Sequence, residues 1–153
     1  MSGNNRVALD MDELPEPPWA ERFRLWLESL LDGLGKESWD LSAVLCGDAL
    51  SARLNGEYRG KDGPTDVLSF PLGDWVEEGA ERRYLAGDLV ISLTELARNA
   101  VTFGVTENEE LKRLAVHGVL HLSGMDHETN DADEPMLALQ ETILERFTEV
   151  VLF

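Results

Sequence analysis

The chain's only three histidines fall within eleven residues, His117-Gly-Val-Leu-His-Leu-Ser-Gly-Met-Asp-His127, and their setting constrains the fold more than any other segment does. Thr106 followed by Glu109 has the spacing of a capping box and starts a helix. That helix runs to about Ser123, where Gly124 supplies the usual stop. His117 and His121 are four residues apart, so their imidazoles share one face about one turn apart. The opposite face carries Leu111, Leu114, Ala115, Gly118 and Leu122 and must be covered by a core. A glycine inside a helix costs ~1 kcal/mol against alanine, so Gly118 implies close packing against a neighbour. Gly124 then lets the chain reverse and bring His127 back toward the pair.

Three neutral imidazoles can bind one ion and leave one tetrahedral position of zinc open to water, the pattern of catalytic rather than structural zinc. The plainer alternative is three buried histidines satisfied by hydrogen bonds. Metzincin proteases share the spacing, with glutamate directly after the first histidine and glycine three after the second. Here Gly124 is present, but Gly118 stands at the glutamate position, so the base of that peptidase mechanism is missing. The site therefore needs another base, or a substrate whose own charge takes part.

At 153 residues the chain has the length of one domain, taken as residues 1–153. Its apolar runs fall far short of the ~20 residues of a membrane helix, and Met1 to Asn5 does not read as a signal peptide. Both features point to the cytoplasm. A single cysteine, Cys46, excludes an internal disulfide and any cysteine-clustered zinc ribbon. Thirteen Lys and Arg against thirty Asp and Glu give a formal charge of -17, which repels polyanions at long range and argues against DNA coating. From Asp126 to Glu149 eight acidic residues face only Arg146. The stretch Arg53 to Lys61 is the basic exception, with Arg53, Arg59 and Lys61 against Glu57, and marks where a phosphate would be met.

Residues 5 to 9 read as a strand. After Pro15, Pro17 and Pro18, the helical recurrence of Trp19, Phe23, Trp26, Leu27, Leu30, Leu31 and Leu34 predicts an amphipathic helix closed by Gly33 and Gly35. Residues 39 to 46 alternate as a strand, and Asp48 is expected to cap a helix carrying Leu50, Leu54 and Tyr58. Gly60 to Thr65 is turn chemistry, Asp66 to Phe70 a strand stopped by Pro71, and residues 73 to 84 a mobile loop or hairpin. Gly87 to Ile91 is a further strand, and Ser92 with Glu95 starts a helix through Ala100. Met136, Leu139, Ile143, Phe147 and Val150 mark the core stripe of a last helix. About four strands and about five helices in mixed order give an α+β domain, with α/β as the alternative.

Three segments, the histidine run, LNGEYRGKDGPTDVLSFP from Leu54 to Pro71, and GDLVIS from Gly87 to Ser92, resemble the signatures of the YbeY family of bacterial endoribonucleases in order and approximate spacing. The resemblance implies a mixed sheet with helices and a metal cleft, and one zinc ion per chain held by His117, His121 and His127. It also implies a single-strand endoribonuclease acting in ribosomal RNA maturation, at the small-subunit rRNA 3′ end, and in ribosome quality control. Arg59 matches the family's functionally important arginine. Met125 departs from the aromatic residue the family often has. Asp126 and Glu128 flank the third histidine, and either could orient an imidazole or act as base.

For an RNA enzyme the charge of -17 is harsh. It suggests that the small ribosomal subunit or a ribosomal protein delivers the single-stranded RNA, or that binding is confined to a small basic cleft. Two alternatives remain: an assembly factor with a structural zinc site, and a metal-dependent hydrolase of another substrate.

Overall fold

A four-stranded sheet in the order β1-β2-β4-β3 organises the chain in the computed structural model, which describes residues 3–127, 129, 131 and 133–153. Strand β1 (Arg6–Met11) lies parallel to β2 (Trp39–Cys46), and β2 lies parallel to β4 (Glu81–Ser92). Strand β3 (Val67–Glu78) runs antiparallel to β4, so the sheet is mixed and β3 is an edge. Five helices complete the described residues: α1 (Ala20–Gly33), α2 (Asp48–Arg59), α3 (Leu93–Phe103), α4 (Glu107–Leu122) and α5 (Pro135–Arg146). The fold is α+β.

Alternation along the strands divides the two faces. Leu41, Ala43, Leu45, Leu89 and Ile91 point to the main core, where α1 contributes Phe23, Leu27 and Leu30, α4 contributes Leu111, Ala115 and Val119, and α5 contributes Met136 and Ile143. A smaller cluster on the other face, Cys46, Leu68 and Val90 with Leu50, Leu54 and Phe70, seats α2. Helix α4 lies against β3 and β4 at Gly118. A Cβ there would stand 2.4 Å from Leu89 Cδ2 and 3.2 Å from Ser69 Oγ, so the close packing expected of this glycine is present.

Several local readings change. Residues 73 to 84 form paired strand, the hairpin alternative, and β3 continues through Pro71 with an irregularity between Pro71 and Asp74. Ser92 N–H donates to the Asp66 carbonyl at 2.9 Å, so even-numbered residues of this part of β3 bond to β4 and odd-numbered ones face outward. Pro71 is therefore placed where no N–H is required. Asp66 Oδ1 accepts the Val67 N–H at 2.7 Å, which leaves Ser69 as the outward N–H along 67–71. Gly47, rather than Asp48, is the N-cap of α2. In α5 the buried face is Met136, Gln140 and Ile143; Leu139 is 36% exposed, and the helix ends at Arg146, before Val150.

Candidate metal centre and its cleft

Residues Glu107 to Leu122 form α4 because Thr106 Oγ1 accepts the Glu109 N–H at 3.1 Å and the apolar face is covered by the sheet. Alongside that face it carries His117 and His121, with ring centroids 4.7 Å apart. Gly124, at φ 96, turns the chain in a conformation that L side chains rarely adopt. His127 thereby returns to within 5.3 Å of His117 and 5.7 Å of His121, centroid to centroid. One ring nitrogen from each of the three lies within 4.8 Å of the others, so this half-buried group could hold a metal ion.

The outer nitrogens decide the tautomers. His117 Nδ1 lies 2.7 Å from Gln140 Oε1, His121 Nδ1 3.1 Å from the Met125 carbonyl and His127 Nδ1 2.8 Å from the Thr129 carbonyl. Gln140 Nε2 donates to Glu141 Oε2 at 3.1 Å, which fixes the amide so that its oxygen faces His117. All three partners are acceptors, so each Nδ1 carries the hydrogen, and in the neutral ring the lone pair is on Nε2. His117 Nε2 and His121 Nε2 stand 3.1 Å apart. In the neutral Nδ1–H rings this contact is two lone pairs facing each other and no hydrogen bond. A tetrahedral ion with imidazole nitrogens at ~2.0–2.1 Å spaces them by about 3.3–3.4 Å, so the pair has the bite of a cation site. Burial, and then His117, hold the His121 imidazole below its ordinary value, against the pull of Asp126. A lowered value keeps the imidazole neutral and available as a ligand.

Arg59 faces the same cleft, about 1010 Å³ in volume, from the last residue of α2. It is exposed and makes no hydrogen bond or ion pair with a described residue. The carbonyls at the end of α2 are instead met by backbone, Gly60 N–H on Gly56 O at 3.2 Å and Lys61 N–H on Asn55 O at 3.3 Å. Asp126 Oδ1 accepts the His127 N–H at 2.8 Å and stands 3.9 Å from His121 Nδ1, too far for a hydrogen bond. Glu128 lies outside the described residues. The sequence reading did not single out Gln140 or the Met125 and Thr129 carbonyls. A glutamine on the buried stripe of α5 was the available signal for the first; the carbonyls leave none.

The chain matches the family model described as Endoribonuclease YbeY over residues 8–148. A protein named Endoribonuclease YbeY from Treponema pallidum (strain Nichols) is 43% identical over 152 residues, 99% of this chain and 95% of that protein. One of the same name from Treponema denticola is 42% identical over 154 residues, 98% of each chain. The solution structure of TM1509 from Thermotoga maritima superposes with a TM-score of 0.63 at 28% identity, covering 94% of this chain and 90% of that one. No helix among the described residues is long and apolar enough to cross a membrane. By a family match across most of its length and by relatives at 42–43% identity over nearly all of it, the chain belongs to the Endoribonuclease YbeY family.

Proposed function

We propose that this protein is a zinc-dependent endoribonuclease cutting single-stranded RNA, acting in the cytoplasm in maturation of the small-subunit rRNA 3′ end and in ribosome quality control. The observation that carries the reading is the convergence of three imidazoles, one ring nitrogen of each within 4.8 Å of the others, beside an uncommitted Arg59 in one cleft. Family membership supplies the reaction class. Zinc, when bound, supplies a Lewis acid for a phosphodiester oxygen or for the attacking water.

Gln140 and the carbonyls of Met125 and Thr129 hold the imidazoles in the ligand tautomer, so no proton has to leave a ring nitrogen on binding. Arg59 meets the phosphate and stabilises the negative charge that grows in the pentacoordinate transition state, a task its planar fork suits. Asp126, exposed beside His127, and Glu128 stay as candidate bases for the attacking water. The edge strand opposes a peptide substrate. An extended peptide pairs with successive outward N–H groups, and along 67–71 Asp66 has taken one and Pro71 removes another.

The test offers zinc-loaded protein a single-stranded RNA, its duplex and a denatured protein, with His117→Ala as control for contaminating nucleases. Metal-dependent cleavage of the single strand is expected. Cleavage of the denatured protein alone would favour a peptide hydrolase, and no cleavage at all would favour an assembly factor with structural zinc.

A further inference from the structure

The cleft is far larger than the three histidines need. Its volume of about 1010 Å³ sits at the upper end of small-ligand pockets, which run to ~1,000 Å³. It wraps around the free edge of β3, with the histidines on the α4 side and the end of α2 on the other. A strand of RNA lying in it would bring several phosphates, yet the charges lining it are poorly suited to a polyanion. Arg59 and Arg113 are the cations there among the described residues, facing the carboxylates of Asp66, Glu110 and Asp126. Arg113 is already committed, its Nε at 3.3 Å and Nη2 at 3.1 Å from the Glu141 carboxylate. One uncommitted guanidinium remains, enough for about one phosphate.

Two aromatic rings at the same cleft are left in solvent. Tyr58, next to Arg59, is 65% exposed, and Phe103, the last residue of α3, is 66% exposed. The Tyr58 ring is propped edge-on by Phe70, centroids 5.1 Å apart at 70°. Neither ring belongs to the core clusters. Every nucleobase has a π-face, and aromatic side chains bind unpaired bases by stacking with no need of charge.

Resting on the RNA reading above, we infer that Tyr58 and Phe103 form nucleobase-stacking subsites, so that this acidic protein holds single-stranded RNA by its bases, with Arg59 alone engaging phosphate. The selectivity for single strands follows from the same surface, because a duplex keeps its base faces covered. The subsites are tolerant of base identity.

The test measures binding rather than cleavage, using full-length protein and a fluorescent single-stranded oligoribonucleotide beside an abasic oligonucleotide of equal length and charge. The wild type should bind the base-bearing strand at least tenfold more tightly than the abasic one. Tyr58→Ala and Phe103→Ala should each weaken the base-bearing strand about fivefold or more, leave abasic binding and bound zinc unchanged, and melt normally. Tyr58→Trp should restore binding. Equal binding of the two oligonucleotides, with cleavage of single-stranded RNA intact, would overturn the stacking subsites and spare the endoribonuclease reading. Neither binding nor cleavage of any RNA would remove both. A variant that keeps full affinity removes its own residue from the proposal.

Discussion

Gln140 Oε1 accepts the Nδ1–H of His117 at 2.7 Å, and this contact ties the first imidazole of the candidate metal centre on α4 to the buried face of α5. Gln140 is 7% exposed, and its own amide is oriented by Glu141, which Arg113 holds in turn. Partners of this kind commonly change metal affinity by about 10–100-fold when removed. Gln140→Leu should weaken zinc binding on that scale, whereas Gln140→Glu, which keeps an acceptor, should retain it. Competition with a chromophoric chelator measures both. Equal affinity for all three proteins would show that His117 is oriented by its packing alone.

Arg59 separates chemistry from architecture. Its guanidinium touches no described partner, so Arg59→Ala should leave melting temperature and bound zinc unchanged. RNA cleavage should fall by about a hundredfold or more, the scale of losing one donor aimed at developing charge. Arg59→Lys should rescue little, since a point charge lacks the planar fork. Normal turnover in Arg59→Ala would return this residue to the solvated surface.

The histidine helix was legible because its period, its capping box and its closing glycine all agree, and each signal is local to residues 106 to 127. The hairpin after Pro71 was not decided, for a physical reason: the second half of β3 is almost wholly exposed and shows no apolar face. It is held by main-chain pairing and by rings and cations above it, Trp75 on Tyr84 at 4.9 Å and Arg82 over Trp75 at 4.7 Å. Pro71 reads as a strand end unless its place on the outer edge is known, which depends on a partner strand ten or more residues away. Gln140 was passed over because a polar residue in a core stripe looks like an interruption, and Leu139 beside it like its continuation. Only the tertiary contact with His117 distinguishes the two.

Glu110 gives a pH dependence with a defined sign. The side chain is 2% exposed and its Oε1 has no hydrogen-bond partner. Burial pushes its carboxyl above the ordinary value of 4.5, against the pull of Arg113. The folded protein therefore holds this proton more tightly than the unfolded chain does. The stability it contributes is fully present below pH 4.5 and is lost as pH rises through the folded value. Glu110→Gln removes the charge at every pH. It should stabilise the protein at pH 7 by on the order of 1 kcal/mol and change little at pH 4. Urea unfolding of zinc-stripped wild type and variant at the two pH values checks the difference, and a variant less stable at pH 7 would mean that the Arg113 pairing outweighs burial.

Gly118 is a close contact between the histidine helix α4 and the sheet. Alanine there would gain ~1 kcal/mol in helix propensity, but its Cβ would meet Leu89 Cδ2 at 2.4 Å and Ser69 Oγ at 3.2 Å. Leu89 is fully buried in the main core and has no open space to swing into. Overpacking of this sort costs ~1–3 kcal/mol, so the packing penalty should exceed the propensity gain. Gly118→Ala should lower the melting temperature of the zinc-free protein, and Gly118→Glu, which restores the protease-type glutamate to the sequence, should lower it further without giving peptidase activity. His117 and His121 lie about 100° and about 60° around α4 from Gly118, so the added methyl is aimed at the sheet and not at the imidazoles, and Gly118→Ala should still bind one zinc per chain. Thermal melts with and without chelator, together with elemental analysis, decide it; an alanine variant more stable than wild type would mean that the helix and sheet part readily at this contact.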